Sequence, residues 1–292
     1  MASYFRAVNT QIEEIIASCG LGKLKHFSAV QGGDVNEAYR VETDQETVFL
    51  KVNRRSYFPR MFEAEQEGLM LLSNSDFTIP RPKVVGELDD HQFIIMQWIE
   101  KGNQESDFWQ QFGRSLAQLH KTDSDNFGLE HDNYIGSLQQ SNTPHKTWSD
   151  FYREQRLRPQ VQLASKNGLL SHTMRHGFNA LFNRLDEIYP TEKPALVHGD
   201  LWSGNKMPAL NGTPCIYDPA VYFGHREMDL AMMALFGGFG VDWVNAYNEV
   251  YPLENGWQGR LEIGQLYPLM VHVNLFGTSY TRSVETILQK FL

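Results

Sequence analysis

The chain has 292 residues, enough for a sizeable core in one large domain or two lobes. With 41% hydrophobic and 21% charged residues it has the make-up of an ordinary soluble globular protein. A formal net charge of −9 argues against a general binder of nucleic acid or anionic membranes, although a local basic pocket is compatible with it. No apolar run approaches the ~18 residues of a membrane span. The opening "MASYFRAVNTQIEEII" lacks a signal-peptide core and reads as an amphipathic helix. Cys19 and Cys215, far apart in sequence, make no disulfide framework, so a cytosolic (cytoplasmic) protein is the simplest expectation.

In chain order, the first hundred residues carry β patterns. "AYRVET" (38–43) and "TVFLKVN" (47–53) are rich in β-branched and aromatic residues, and the polar "DQE" between them predicts a hairpin. "PRMFEAEQEGLMLLSN" (59–74) opens with Pro59, and its Met61, Phe62, Leu69 and Leu72 recur at helical spacing. The turn-forming "IPRPKVVGELDD" (79–90) leads into a strand over 91–100. From residue 105 the texture becomes helical, with segments at 107–121, 148–167 and 174–189. The short strands "ALVHGD" (195–200) and "PCIYDP" (214–219) follow, and three more helical segments run to the end. The expectation is an α+β chain with a β-rich N-terminal lobe over 1–100 and a larger, mainly helical C-terminal lobe over 101–292. No repeat or low-complexity tract interrupts it.

The chemistry concentrates in "LVHGDLWSGN" (196–205). Phosphoryl transfer requires a carboxylate that orients a hydroxyl nucleophile and hard oxygen ligands that hold Mg²⁺ on the phosphates. Kinase catalytic loops place the base Asp and the metal-binding Asn five residues apart. Asp200 and Asn205 have that interval, and Asp218 follows thirteen residues later, at the end of the apolar "CIYD" beyond an "LNG" turn. Singly, each aspartate reads equally well as a turn or capping residue. The ordered trio, each member after a β-like run, points to Asp200 as base and to Asn205 and Asp218 as metal ligands.

Upstream, Lys51 stands in the apolar strand "VFLKVN", where a lysine is costly unless its amine finds a partner. That pattern matches the kinase lysine that touches the α- and β-phosphates, whose partner is a helix glutamate about fifteen residues on. Glu63, Glu65 and Glu67 are candidates. Glu65 is preferred because Leu69 and Leu72 share its helix face. Gly32 and Gly33, in the loop before the lysine hairpin, would let backbone N–H groups approach phosphates, although a Gly-Gly pair is also a common turn. "MQWIE" (96–100) could recognise adenine through the Gln97 carbonyl and the Ile99 amide, or be a plain linker.

Together, "HGDLWSGN", "YDPAVYFGHREMDLAMMALFGGF" and "YPLMVHVNLFG", with the upstream "GGDVNEAYRV…FLKVN…MFEAEQEGL" in matching order, resemble the fructosamine kinase (ketosamine 3-kinase) family over essentially the whole chain. The resemblance implies the two-lobed protein-kinase-like fold shared with aminoglycoside and choline kinases. It also implies ATP- and Mg²⁺-dependent phosphorylation of a sugar hydroxyl on a ketoamine adduct (ribulosamine, erythrulosamine or fructosamine), free or on a glycated protein. Carried over by position, Lys51 and Glu65 form the ion pair, Asp200 is the base, and Asn205 and Asp218 hold the metal. Some members carry a cysteine after the Gly-Gly that serves redox-sensitive dimerisation. Here Asp34 stands there, so a monomer is expected. "DPA" replaces the protein-kinase "DFG", which gives no support to a DFG-type flip.

For the acceptor, Trp202 beside the base offers a flat face to a sugar ring or amine substituent. His225, Arg226 and Glu227, crowded with Asp229 before an apolar helix, could line a polyol pocket, or could equally cap that helix and pair internally. His272 and Asn274 read as substrate contacts or as a satisfied core pair. Rival classes are a metallohydrolase using His198, Asp200, Asp218 and His225, a small-molecule alcohol kinase of the aminoglycoside or choline type, and a non-catalytic nucleotide-binding pseudokinase. The metallohydrolase leaves Lys51, Glu65 and the five-residue interval unexplained.

Overall fold

The computed structural model describes residues 2–31 and 35–292, with side chains from residue 8 onward. A first helix, α1 (Ala2–Ser18), precedes β1 (Leu24–Ala29), β2 (Glu37–Thr43) and β3 (Thr47–Arg54). Next come α2 (Met61–Leu72), β4 (Pro82–Leu88) and β5 (His91–Gln97). The five strands form one antiparallel sheet in the order β1-β2-β3-β5-β4. The hairpin at 38–53 and the helix after it appear as predicted. The strand expected over 91–100 ends at Gln97, and β1 and β4 lie where no strand was read. One face of the sheet packs on α1, with Ile12, Ile15, Val41, Leu50 and Ile95 in a closed core. The period-2 side chains of β3 thereby point alternately into this core and towards α2.

The helical part begins with α3 (Phe108–His120) and a small hairpin of β6 (Asn133–Ile135) and β7 (Leu138–Gln140). The segment expected as one helix over 148–167 is α4 (Trp148–Phe151), a π-helical turn (Tyr152–Leu157) and α5 (Arg158–Lys166). The next breaks into α6 (His172–Phe182) and α7 (Leu185–Ile188). Three short strands follow, β8 (Ala195–Val197), β9 (Lys206–Pro208) and β10 (Pro214–Ile216), then β11 (Tyr222–Gly224), which pairs with β8. Four helices close the chain: α8 (Glu227–Phe236), α9 (Trp243–Val250), α10 (Trp257–Phe276) and α11 (Thr281–Leu288).

Inside α10, Pro268 has no N–H for the carbonyl of Gly264 one turn earlier. The Tyr152 hydroxyl reaches that region instead, donating to Ile263 O at 2.6 Å with Gly264 O at 3.3 Å. A helical core gathers α4 to α6, α10 and α11. A further apolar cluster joins Phe62, Leu69, Ile94 and Met96 of the first hundred residues to Phe112, Leu116, Leu196 and Ile216 of the remainder. Between these two parts lie the segments that carry Asp200, Asn205 and Asp218, the last meeting Lys51 of β3. No helix among the described residues is long and apolar enough to cross a membrane.

Candidate active site

Lys51 lies on β3, an interior strand with β2 on one side and β5 on the other, so its amine cannot simply turn to water as on an edge. The residue is 6% exposed. Its Nζ donates to Glu65 Oε1 of α2 at 2.7 Å and also to the Asp218 carboxylate. Burial alone would lower the lysine pKa, but the two carboxylates outweigh it and hold Lys51 protonated, above its usual value. Of the three candidate glutamates, Glu65 is the one bound to it.

Asp218 follows β10 with φ of 55°, a left-handed conformation that Asp tolerates better than most residues. The β9–β10 turn that delivers it uses Gly212 at φ 81°. Asn205, in a single 3₁₀ turn, donates through Nδ2 to Asp200 Oδ2 and Asp200 O, both at 2.9 Å, and to Asp218 O at 3.3 Å. Glu65, Lys51, Asp218, Asn205 and Asp200 thus form one connected polar chain. Burial, reinforced by the nearby Asp218 charge and opposed by the Asn205 hydrogen bond, pushes the Asp200 carboxyl up to about 7.

The glycine before Asp200 is required by space, and the one before Asn205 lies beneath an indole. A Cβ on Gly199, at φ 82°, would lie 2.1 Å from the carbonyl oxygen of Ala220. A Cβ on Gly204 would lie 2.1 Å from the Trp202 indole, which covers it. Trp202 is 40% exposed and stands 6.2 Å from the Phe236 ring, so a broad aromatic face opens to solvent beside Asp200. His272 also meets the Phe236 ring, at a tilt with centroids 5.1 Å apart, while its Nδ1 bonds Pro268 O at 2.7 Å. Asn274 instead turns to Gln160, at 2.7 Å.

The loop is aimed from below by Asp229. Its carboxylate accepts the N–H groups of His198 at 2.7 Å and Gly199 at 2.9 Å, and His120 Nε2 lies 3.2 Å away. Burial would raise Asp229, but His120, His198 and the backbone donor outweigh it, and its pKa falls below the usual carboxylate value. His198 turns inward, with Nε2 3.0 Å from Tyr217 O, and burial holds its pKa low.

The polyol-pocket expectation for His225, Arg226 and Glu227 is corrected. All three are buried, at 0%, 2% and 2% exposure. Arg226 makes a two-pronged pair with Glu192 at 2.6 and 2.9 Å and lies over the Tyr251 ring. Glu227 takes the same kind of fork from Arg260, at 2.6 and 2.9 Å. His225 sits among Trp148 and Tyr189, where burial, then the charges of Arg226 and Arg260, drive its pKa down to about 3. The physical reason is that α8 docks its first turn against the chain around 189–192 and 251–260, so Arg226 and Glu227 are paired with Glu192 and Arg260 away from the cleft. His225 and His198 therefore occupy separate surroundings. Among the described residues no cluster of three or more His, Cys, Asp or Glu forms a metal cage. Gly32, Gly33 and Asp34 lie outside the described residues. Gln97 ends β5 with its N–H on Arg81 O at 2.8 Å, and Ile99 lies in the short connection to the helical part.

The sequence profile described as "Fructosamine kinase" matches residues 7–292. The chain belongs to the fructosamine kinase family. Curated relatives agree with that membership. A "Probable ketoamine kinase" of Enterococcus faecium is 38% identical over 266 residues, 90% of this chain and 94% of that protein. The "Protein-ribulosamine 3-kinase, chloroplastic" of Arabidopsis thaliana is 37% identical over 284 residues, 92% and 83% of the two chains. The solved structure of a "putative fructosamine-3-kinase" from Thermobifida fusca superposes with a TM-score of 0.86 at 32% identity, covering 96% and 98%. An aminoglycoside phosphotransferase bound to AMP-PNP and hygromycin B gives 0.66 at 15% identity over 95% and 98%, a likeness of fold. The fold of this fructosamine kinase family member is accordingly the two-lobed, kinase-like α+β fold.

Sequence reasoning grouped Asp229 with the polyol-pocket or helix-capping candidates and missed its place beneath the 198–199 backbone. The available signal was a carboxylate inside the apolar helix "EMDLAMMALF", a placement that is costly unless buried donors meet it.

Proposed function

We propose that this chain is an ATP-dependent ketosamine 3-kinase, with Asp200 as the base that receives the proton of the acceptor hydroxyl. The observation that carries this is the continuous hydrogen-bonded chain Glu65–Lys51–Asp218–Asn205–Asp200, which would supply a fixed cation, two hard-oxygen ligands and a base in one cleft. A carboxyl lifted to about 7 is matched to taking up a proton near neutral pH. Lys51, held charged, would bind the α- and β-phosphates of ATP, and Glu65 keeps it extended across the cleft. Gly32 and Gly33 would cover the phosphates, and the Gln97 carbonyl and Ile99 amide would meet adenine at the junction of the 1–100 and 101–292 lobes.

Asn205 and Asp218 supply oxygen donors of the type Mg²⁺ prefers, and they are neighbours, with Asn205 Nδ2 on the Asp218 main-chain O and the Asp218 carboxylate beside Lys51. When bound there, the ion would neutralise charge on the phosphates. A cation at these ligands would also offset the Asp218 charge that raises Asp200, favouring the ionised base. Trp202 would pack against the sugar ring or its amine substituent.

In the reaction, the C3 oxygen of the ketosamine attacks the γ-phosphorus, the bond from that phosphorus to the β-phosphate oxygen breaks, ADP leaves, and the C3–OH proton passes to Asp200. Phosphate is a far better leaving group than hydroxide. Loss of a C1 proton gives the C1=C2 enol, whose electron pair forms C2=C3 as the C3–O bond breaks and phosphate leaves. Water then hydrolyses the resulting C1 iminium to the free amine and a 3-deoxy dicarbonyl sugar. The outcome would be deglycation with no lyase residues needed. Phosphorus NMR of a ribulose-lysine adduct with ATP and Mg²⁺ tests this. A C3 phosphate ester that decays to inorganic phosphate as lysine appears is expected. Phosphorylation of another alcohol, with no ketoamine modified, would reassign the acceptor towards that of an aminoglycoside- or choline-type kinase.

A further inference from the structure

The β6–β7 hairpin belongs to neither the cleft nor the main sheet, yet its buried polar residues reach the segment that carries Asp218. Asn133 and Gln140 are cross-strand partners, so their side chains leave the hairpin on the same face. Asn133 Nδ2 donates to Val221 O at 2.8 Å, and Gln140 Nε2 donates to Ala220 O at 3.1 Å and to Asn133 Oδ1 at 2.7 Å. Both are almost fully buried. The pair is braced from behind. The Tyr267 hydroxyl donates to Gln140 Oε1 at 2.7 Å. Asn142 donates to Asn133 Oδ1 at 3.0 Å and is itself held by Arg156 at 2.7 Å.

The clamped carbonyls are the second and third after Asp218. The same stretch is fixed by Ala220 N–H on His198 O at 2.9 Å, while Pro219 and Val221 lie against Gly68 of α2. The hairpin also touches the start of α2, where the Tyr134 hydroxyl donates to Pro59 O at 3.0 Å. Asp218 is left-handed, and the backbone just after it is pinned at residues 220 and 221 by two side-chain amides and a backbone bond.

We propose that Asn133 and Gln140 are positioning residues that lock the 218–221 backbone, so that Asp218 stays aimed at Lys51 and Asn205, and that the hairpin couples this lock to α2 and Glu65. This rests on the proposed role of Asp218 as a metal ligand. In place of a mobile DFG-like segment, the "DPA" of this chain would be held permanently in one conformation by an added structural element. Asn133→Asp is the sharp test, because it keeps the acceptor for Gln140 and Asn142 but sets a carboxylate oxygen against Val221 O. Gln140→Leu is the second variant, and Gln160→Leu, which loses a buried bond elsewhere in the same lobe, is the control.

The readouts are the Mg²⁺ dependence of binding of a fluorescent ATP analogue, hydrogen exchange of the 218–224 amides, and melting temperature. Loss of residues that orient metal ligands commonly costs ~10–100-fold in metal affinity. The expected result is a rise of that order in the Mg²⁺ needed for half-maximal nucleotide binding, with faster exchange over 218–224, in both hairpin variants and not in the control. Unchanged Mg²⁺ dependence and exchange, with only a fall in melting temperature like that of the control, would overturn the proposal. If the unmutated protein bound the analogue without regard to Mg²⁺, the metal-ligand reading of Asp218 would fall, and the exchange data would still decide whether the hairpin locks the segment.

Discussion

Two short stretches of this chain, "HGDLWSGN" (198–205) and "GHREMDL" (224–230), are similarly dense in polar residues and both adjoin the same two-stranded ladder of β8 and β11. Their fates are opposite. The first turns Asp200 and Trp202 towards the cleft, because Gly199 and Gly204 allow the backbone to fold beneath the Ala220 carbonyl and the indole. The second finds counter-charges inside the protein, Glu192 for Arg226 and Arg260 for Glu227, and is consumed by them. The difference teaches that polar density alone does not mark a site, since the charges of the second stretch are paired away from the cleft. One residue of the second stretch, Asp229, serves the first by accepting its backbone N–H groups.

The comparison can be broken most directly at Asp200. Asp200→Asn is expected to lower turnover ~10²–10⁴-fold while ATP binding stays largely intact. Retention of more than about a tenth of the activity in a steady-state assay would be incompatible with a base there, since general-base catalysis contributes at least tenfold more than that. Asp229→Asn comes next, because an amide would point N–H at the N–H of His198 or Gly199. Leaving such a buried donor unmatched costs ~1–3 kcal/mol. A lower melting temperature together with reduced turnover at unchanged acceptor KM is expected, and full turnover in the folded variant would show that the loop holds its shape without this acceptor.

Trp202→Ala should act on the acceptor alone. Aromatic contacts of this kind contribute about 0.5–1.5 kcal/mol, so the acceptor KM should rise roughly two- to tenfold at unchanged nucleotide affinity, measured with two amines of different size. The smallest kinetic effect is expected at Arg226→Ala. It strands Glu192 in a largely buried position, where breaking a charge pair costs ~3–5 kcal/mol, so thermal stability should drop sharply. In the fraction that remains folded, acceptor KM should match that of the unmutated protein. A selective rise in that KM would return Arg226 to the substrate pocket.

Much of the fold could be read from sequence where a period or an interval was strong. The β2–β3 hairpin and α2 followed from alternation and helical spacing, and Lys51, Glu65, Asp200, Asn205 and Asp218 from ordered intervals that the structure joins by hydrogen bonds. β1 escaped because "LKHFSA" faces solvent at most positions and carries little apolar alternation. β6 and β7 escaped because three-residue strands, here Asn-Tyr-Ile and Leu-Gln-Gln, are too short to show a period. The broken 148–167 helix carried one local cue, Pro159 in the first turn of α5, but its π-helical turn forms where the Tyr152 hydroxyl meets the carbonyls around the Pro268 gap in α10, more than a hundred residues away. The direction of the 225–227 side chains was likewise set by distant partners.

The apolar cluster that runs without a break from α2 and β5 into α3, β8 and β10 has a consequence for how the protein comes apart. Phe77 and Phe112 meet across it with ring centroids 5.2 Å apart, and Leu69, Ile94 and Met96 share it with Leu116, Leu196 and Ile216. The smaller lobe thus lacks a closed surface of its own. Cut free after Glu100, it would present that face to water and self-associate. The intact chain should melt as one cooperative unit in calorimetry, with both halves surrendering their amide protection together, although the architecture looks bipartite.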